Sequence, residues 1–148
     1  MEHVLSTVLN HAKAKVGSLM LMDESVSLLR IVEATGFPSD TLEAIKKFTL
    51  NPGQGVAGHV YLTGQPYYLR HPQEDALFVP PPIPFGPNFQ FLSLPLKDAN
   101  GQTVGVLNIH FPTDALMGAK ELEGLAQLAN LATSEFLARF GGPARLPC

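Results

Sequence analysis

The stretch that decides the fold is FQFLSLPLKDANGQTVGVLNIHF, residues 89–111. Two apolar runs of strand length, Phe89–Leu96 and Gln102–Phe111, flank the turn-forming residues Lys97–Gly101. Asn100 and Gly101 readily adopt the positive φ angles that a tight hairpin turn requires. The sequence therefore predicts a β-hairpin here, and with it an antiparallel pair of strands.

Upstream of this hairpin, the sequence predicts a helix, a second hairpin and a short helix. Apolar residues recur at helical spacing over Glu2–Lys15. The almost unbroken apolar run Val16–Met22 is typical of a central strand covered on both faces, and Val26–Ala34 is its predicted hairpin partner. A short helix is expected over residues 39–47.

The middle of the chain combines a short helix, a brief strand and a long loop. The turn-rich segment Leu50–Gly55 leads into a predicted helix over Val56–Leu62, which Thr63–Pro66 must end. Tyr67–Leu69 is a brief predicted strand. The stretch Arg70–Asn88 that follows is rich in proline, and a loop this long inside a compact domain is more often functional than idle.

The last predicted helix is apolar over a wider arc than one neighbour can cover. Its apolar residues are Leu122, Leu125, Leu128, Ala129, Leu131, Ala132, Phe136 and Phe140. Gly141–Pro143 then ends the helix. We therefore expect a single domain over residues 1–140 and a flexible tail over residues 141–148.

Composition argues against several classes of function. With 148 residues, of which 45% are hydrophobic, the chain can hold a sizeable core, so we do not expect disorder. The formal charge of −3 and the lack of a basic run remove the electrostatic footprint of nucleic-acid binding. No apolar window is long enough for a membrane span, and the amino terminus lacks the pattern of a signal peptide. The expectation is a soluble, cytoplasmic protein with no nucleic-acid or membrane partner.

The hexapeptide Gly53–Gly58, GQGVAG, matches the dinucleotide-binding fingerprint G-x-G-x-x-G. That fingerprint belongs in a parallel βαβ unit whose helix spans the sheet. Here Pro52 interrupts the preceding strand, and Gly64–Pro66 stops the helix soon after it starts. We therefore interpret these glycines as serving a tight strand-to-helix turn with close packing, not a dinucleotide site.

The sequence carries no visible catalytic or metal-binding apparatus. The five histidines, which fall in no metal-ligand motif, are His3, His11, His59, His71 and His110. The single cysteine, Cys148, is at the carboxyl end, and no G-x-S-x-G nucleophile motif occurs. The sequence thus predicts a protein that is not an enzyme and holds no metal site.

Aromatic residues gather around the long loop. They are Tyr67 and Tyr68 before it, and Phe78, Phe85, Phe89 and Phe91 within it or in the strand that follows. Such a set can line a mainly apolar ligand pocket, edged by polar groups such as His71 and Asp75. The same phenylalanines can instead fill core space beneath a lid, and both interpretations stay open.

Taken in order, several short motifs resemble those of the GAF domain family. They are the Gly53–Gly58 turn, the Gly64–Pro66 turn, Phe78 after an acidic loop, Ser93–Leu96 on one strand and Val104–Leu107 on the next. The likeness covers nearly the whole chain, up to about Phe140.

The resemblance implies an α+β fold of the GAF or PAS kind. It implies an antiparallel sheet of five or six strands, with the terminal helices on one face and short helices plus the long loop covering the other. It further implies a bacterial-type sensory domain in signal transduction that performs no chemistry and binds a small molecule between sheet and loop. Such domains pair with a second copy through the first and last helices, and the wide apolar arc of the last helix independently favours a homodimer.

Some activities of the family depend on residues that can be checked in this sequence. Covalent bilin attachment and free methionine sulfoxide reduction use cysteines inside the domain, which this chain lacks. The N-K-x-F-D-E signature of cyclic-nucleotide-binding members is missing, and Arg70 or His71 replaces a frequent acidic residue before the loop. A haem would need an axial histidine, for which His59, His71 and His110 are the candidates. No particular cofactor is predicted.

We therefore expect a small-molecule site in which polar groups orient the ligand and aromatic rings exclude water. The expected residues are His59, Tyr68, His71, Asp75, Phe78, Phe85, Phe91 and Ser93. Binding would order the loop Arg70–Asn88 and so bias the dimer helices. Two alternatives stay open: a purely structural dimerisation module with no ligand, and a sensor that holds haem or another non-covalent cofactor.

Overall fold

Six strands form one antiparallel sheet in the computed structural model, which describes residues 2–78, 89–115 and 117–140. The strands are β1 (Val16–Asp23), β2 (Leu28–Thr35), β3 (Thr49–Leu50), β4 (Tyr67–Leu69), β5 (Phe89–Lys97) and β6 (Thr103–Pro112). Their order across the sheet is β3-β2-β1-β6-β5-β4, and every pairing is antiparallel. The predicted α+β fold class is confirmed.

The two predicted hairpins form the middle of this sheet. β5 and β6 pair from Phe89 opposite Pro112 to Lys97 opposite Thr103, and Gly101 in their turn has a positive φ of 78°. β1 pairs with β2 on one side and with β6 on the other, so it is the central strand that its apolar run predicts. The two-residue strand β3 was not predicted, because its residues lie where the sequence indicated only a turn.

Four α-helices cover the sheet within the described ranges. They are α1 (Glu2–Ala12), α2 (Leu42–Lys47), α3 (Gly55–Thr63) and α4 (Ala119–Phe140), with short 3₁₀ turns at Ser39–Thr41 and Pro72–Glu74. The first helix ends three residues before the expected Lys15, where Lys13 adopts a left-handed φ of 58°. None of these helices is both long and apolar enough to cross a membrane.

Side chains of the central strands alternate between two apolar layers. On one face, Leu107 and Ile109 of β6 pack beneath α1 and α4. On the other face, Val106 packs with Val56 and Val60 of α3. The terminal helices therefore share one face of the sheet and the short helices lie on the other, as predicted.

Part of the predicted loop and tail lies beyond what the structure describes. Residues 79–88, which hold the proline-rich part of the loop, and residues 141–148 are outside the described ranges. The expected helix break at Gly141–Pro143 falls there too. The domain boundaries at residues 140 and 141 thus stay a prediction.

The turn before α3 shows why glycine is needed at Gly58. The Gly53 N–H donates to the Gly58 carbonyl oxygen at 3.0 Å, which folds the turn back onto the first turn of the helix. A Cβ atom at Gly58 would lie 2.6 Å from the Asn51 carbonyl oxygen and 3.0 Å from the Gly53 nitrogen. These contacts are with backbone atoms, which cannot swing aside, so the interpretation of a tight turn with close packing is confirmed.

Gly58→Ala is expected to lower the free energy of unfolding by roughly 2 kcal/mol, because the added methyl group overlaps fixed backbone. Gly124→Ala in α4 is the matched control, since a Cβ there meets nothing within 4 Å. It should leave stability unchanged or raise it by up to about 1 kcal/mol through helix propensity. Urea denaturation of both variants checks the pair, and equal stability of the two would contradict the packing argument.

Candidate functional site

A cavity of about 40 Å³ lies between the sheet and the short helices. Its floor comes from the central strands, and its roof comes from α2, α3 and the segments beside them. The lining residues are Ser18, Met20, Ile31, Phe37, Ile45, Phe48, Leu50, Val56, Ala57, Phe78, Phe91, Asn108 and His110. A space of this volume has room for roughly three water molecules. In the part of the chain that the structure describes, the wall is apolar except at three positions on the floor, Ser18, Asn108 and His110.

A row of hydrogen bonds crosses three strands at this floor. Asn108 of β6 lies opposite Ser18 of β1 and Ser93 of β5. The Ser93 hydroxyl donates to Asn108 Oδ1 at 2.8 Å, and Asn108 Nδ2 donates to Ser18 Oγ at 3.3 Å. All three side chains are buried. We call Ser18, Asn108 and Ser93 the polar row.

Some N–H and O–H groups of the polar row are not used in the hydrogen bonds just described. An asparagine amide carries two N–H groups and a serine hydroxyl carries one O–H. One N–H of Asn108 is used by Ser18. Among the residues that the structure describes, neither the second N–H nor the Ser18 O–H has an acceptor. The cavity wall therefore presents two hydrogen-bond donors.

His110 lies on the same face of β6, two residues beyond Asn108, and is enclosed by aromatic rings. It stacks on Phe89 with ring centroids 5.1 Å apart, and its edge contacts are with Phe91 at 5.1 Å and Phe37 at 6.0 Å. Burial in these surroundings lowers the pKa of His110 to about 4. The imidazole is therefore neutral at ordinary pH.

Three of the predicted site residues are at or beside the cavity. Phe78 and Phe91 line it, with ring centroids 5.3 Å apart. Ser93 is fully buried behind it and reaches it through Asn108.

His59 and Asp75, two further predicted residues, meet through Tyr67 outside the cavity lining. The His59 ring makes an edge contact with the Tyr67 ring at 5.4 Å, and the Tyr67 hydroxyl donates to Asp75 at 2.9 Å. This hydrogen bond raises the pKa of Tyr67. Asp75 also accepts from the Leu77 N–H at 2.8 Å, so the cluster holds the start of the loop against β4.

The remaining predicted residues are elsewhere. Tyr68 packs on the face covered by α1 and α4, where its hydroxyl contacts Gln90. His71 is exposed. Phe85 lies outside the described residues. Contact of any predicted residue with a ligand stays a prediction.

The sequence interpretation missed Ser18 and Asn108 and named His110 only as a candidate haem ligand. A signal was present, since Asn108 and His110 interrupt an apolar strand at positions two apart, which places them on one face. Ser18 likewise interrupts the apolar run of β1. Buried polar residues on central strands need partners, so their presence marks a polar site. Nowhere in the described ranges do three His, Cys, Asp or Glu side chains group in a way that could hold a metal ion.

Comparison of the sequence with protein families matches the model described as the GAF domain over residues 1–134. No curated protein matches the chain.

Solved structures share the fold at low sequence identity. A GAF domain/HD domain protein from Geobacter sulfurreducens has a TM-score of 0.75 at 16% identity, covering 89% of this chain and 86% of that one. The GAF domain of a phosphoenolpyruvate-protein phosphotransferase from Coxiella burnetii has a TM-score of 0.73 at 22% identity, covering 92% and 80%. A type II free methionine-R-sulfoxide reductase from Thermoplasma acidophilum has a TM-score of 0.68 at 13% identity, covering 94% and 95%.

The buried His110 should make stability depend on pH. The unfolded chain takes up a proton at this residue near pH 6.5, as free histidine does, whereas the folded chain does so only near pH 4. Lowering the pH through this window therefore favours unfolding, and His110 alone should remove roughly 3 kcal/mol of stability between pH 7 and pH 4.

His110→Leu should flatten the pH dependence of the free energy of unfolding by that amount, measured by urea denaturation at several pH values. His71→Leu, at an exposed position, should keep the wild-type slope. Hydrogen bonds from Ser25 and Arg30 lower the pKa of Asp23. Carboxylates of this kind contribute equally to the pH dependence of wild type and of both variants, so they do not affect the comparison. An unchanged slope in His110→Leu would show that this histidine is not buried as described.

Proposed function

This chain belongs to the GAF domain family, whose members are generally sensory or regulatory, and we propose that it binds a small molecule in the cavity without catalysing a reaction. The observation that supports the proposal is the polar row, which presents two donors to a cavity whose described wall is apolar apart from Ser18, Asn108 and His110. A buried donor that has no acceptor lowers the stability of the folded protein. A bound molecule or an ordered water that accepts from Ser18 and Asn108 removes this penalty.

The proposal places the ligand between the floor of the sheet and the roof of short helices. A volume of about 40 Å³ means that any ligand larger than a few atoms must displace a wall side chain. Phe78 is well placed to move, because it is only half-buried and comes from a loop, as is the case for Phe37, whereas Val56 and Ala57 are buried on α3. Ligand binding is therefore coupled to a shift of an aromatic side chain from a loop, and Phe78 is the one tested below.

The absence of catalysis is part of the proposal, because one structural neighbour is a methionine sulfoxide reductase. Support comes from the chemistry of the wall. The Ser18 hydroxyl accepts from the Asn108 amide, which is no base, so nothing in the polar row activates it as a nucleophile. The only cysteine is Cys148, eight residues after α4. The alternative of a haem sensor is disfavoured, because a macrocycle needs far more room than about 40 Å³.

We also propose that the chain forms a homodimer through α1 and α4. These helices leave a groove of about 190 Å³ on their outer side. It is lined by His3, Val4, Thr7, Leu128, Leu131, Ala132, Glu135, Phe136 and Arg139. Leu131 is 59% exposed, although it is a large apolar residue. Glu135 and Arg139 add one charge of each sign to the same patch, so a two-fold arrangement can bring unlike charges of the two copies together.

Filling the cavity should abolish ligand binding. Wild type and Ala57→Leu would be screened by thermal shift against nucleotides, amino acids, tetrapyrroles, keto acids and small neutral aromatics. A ligand present at 100 times its Kd stabilises the folded chain by about 2.7 kcal/mol, so a hit should raise the Tm of wild type and not that of Ala57→Leu. Leu62→Ala, on the same helix but 63% exposed and outside the cavity lining, is the control that should respond like wild type. A response that survives in Ala57→Leu, or none with any compound, would contradict the proposal.

The dimer is tested by a matched pair of exposed leucines. Leu131→Asp puts a charge into the α1–α4 groove, whereas Leu62→Asp puts one on α3, away from that groove. Sedimentation velocity should show a dimer for wild type and Leu62→Asp and a monomer for Leu131→Asp. A wild-type monomer at high concentration, or a dimer of Leu131→Asp, would exclude this interface.

A further inference from the structure

Among the residues that the structure describes, the cavity wall contains no charged side chain. Of the described lining residues, none is Asp, Glu, Lys or Arg, and the one titratable side chain is His110. That imidazole is packed against Phe37, Phe89 and Phe91. An ion bound in this cavity would lose its hydration shell and would meet no opposite charge. The free-energy cost of this desolvation is far larger than the gain from apolar contacts.

The sequence between Asp75 and Lys97 is equally neutral. Residues 76–96, which run from two residues before Phe78 to the penultimate residue of β5, include no Asp, Glu, Lys, Arg or His. No part of this stretch can supply a counter-ion to a ligand in the cavity.

The polar row has two donors with no acceptor among the described residues. They are one N–H of Asn108 and the O–H of Ser18, since the other Asn108 N–H donates to Ser18 and the Ser93 hydroxyl donates to Asn108 Oδ1. Asn108 Oδ1 and Ser18 Oγ each accept one hydrogen bond and keep one lone pair. A carbonyl or ether oxygen of a ligand has two lone pairs and no hydrogen of its own, so it can accept from both donors at once.

We infer that the ligand of this cavity is an uncharged, mainly apolar molecule with one oxygen acceptor directed at Asn108 and Ser18, such as an aromatic or alicyclic ketone. The inference rests on the proposed function and narrows it, since it excludes nucleotides, keto acids and free amino acids. An aromatic ring also needs more space than the cavity has, because engineered cavities that hold benzene measure roughly 150 Å³. Displacement of Phe78, whose ring packs against Phe89 and Phe91, supplies that space.

Three probes of nearly equal shape separate charge from hydrogen bonding. Acetophenone carries a ketone, α-methylstyrene replaces its oxygen by a methylene group, and benzoate replaces its methyl group by an anionic oxygen. Their Kd values would be measured by methyl NMR titration with wild type and with Phe78→Ala, in which the space for a ring already exists. Acetophenone should bind roughly five- to tenfold more tightly than α-methylstyrene, the effect of one net hydrogen bond. Benzoate should bind at least about a hundredfold more weakly than acetophenone.

The polar row is tested with the same probes. Ser18→Ala and Asn108→Leu should each reduce the advantage of acetophenone over α-methylstyrene to about twofold or less. Ser18→Ala is the conservative variant and keeps the test valid if Asn108→Leu does not fold. Ser134→Ala, at an exposed position on α4, should preserve the full advantage.

Each contrary result has a distinct meaning. Benzoate binding as tightly as acetophenone would overturn the neutral ligand class, while the cavity remained a binding site. Equal affinity for acetophenone and α-methylstyrene would overturn the role of the polar row. A charged hit from the thermal-shift screen that Ala57→Leu abolishes would likewise refute the inference and leave the proposed function intact. Binding of none of the three probes to either chain would count against both.

Discussion

The polar row at the centre of the sheet constrains the rest of the structure. β1 and β6 are covered on both faces, so each of their polar side chains must find a partner inside the protein. Asn108 has two hydrogen-bond partners, Ser18 and Ser93, because it lies opposite both of them in the sheet. A slip of one residue would turn Asn108 toward the apolar layer beneath α1 and α4. The row thus fixes the register of three strands and, by the same contacts, the polar floor of the cavity.

Hydrogen bonds hold β5, one of the strands that line the cavity, at both of its ends. At its start, the buried Gln90 amide donates to the carbonyl oxygens of Pro112 at 2.9 Å at the end of β6, and of Thr113 at 3.2 Å and Ala115 at 2.9 Å in the segment before α4. At its other end, the Lys97 N–H donates to Asn130 of α4 at 3.2 Å. Between these points, Phe91 faces the cavity. A displacement of Phe91 is therefore resisted by bonds to the segment before α4 and, at Lys97, by a bond to α4 itself, one of the two helices proposed to pair.

Much of this fold could be predicted from local sequence patterns, whereas the cavity could be predicted only in part. The β5–β6 hairpin and the turn before α3 are specified by neighbouring residues, so they could be predicted with nearly correct bounds. The roof residues Phe37 and Ile45 come from separate segments whose approach depends on the whole sheet. Tyr68 sits in a strand of three residues, too short for alternation to show which face it occupies. Asn108, by contrast, stood in a long alternating strand and could have been recognised as a buried polar group.

The glycines of the family motifs constrain how the chain packs, and they do not line the cavity. Gly58 and Gly105 belong to the recurrent motifs, and both are positions where a Cβ would overlap backbone oxygen, of Asn51 and Met20 respectively. These are constraints on how the chain packs, and they hold for any content of the cavity. The side chains that face the cavity, such as Asn108, come from other positions. Structural similarity at 13 to 22% sequence identity therefore reflects the shared packing of the fold. The chemical class of a ligand has to be inferred from the side chains that line the cavity.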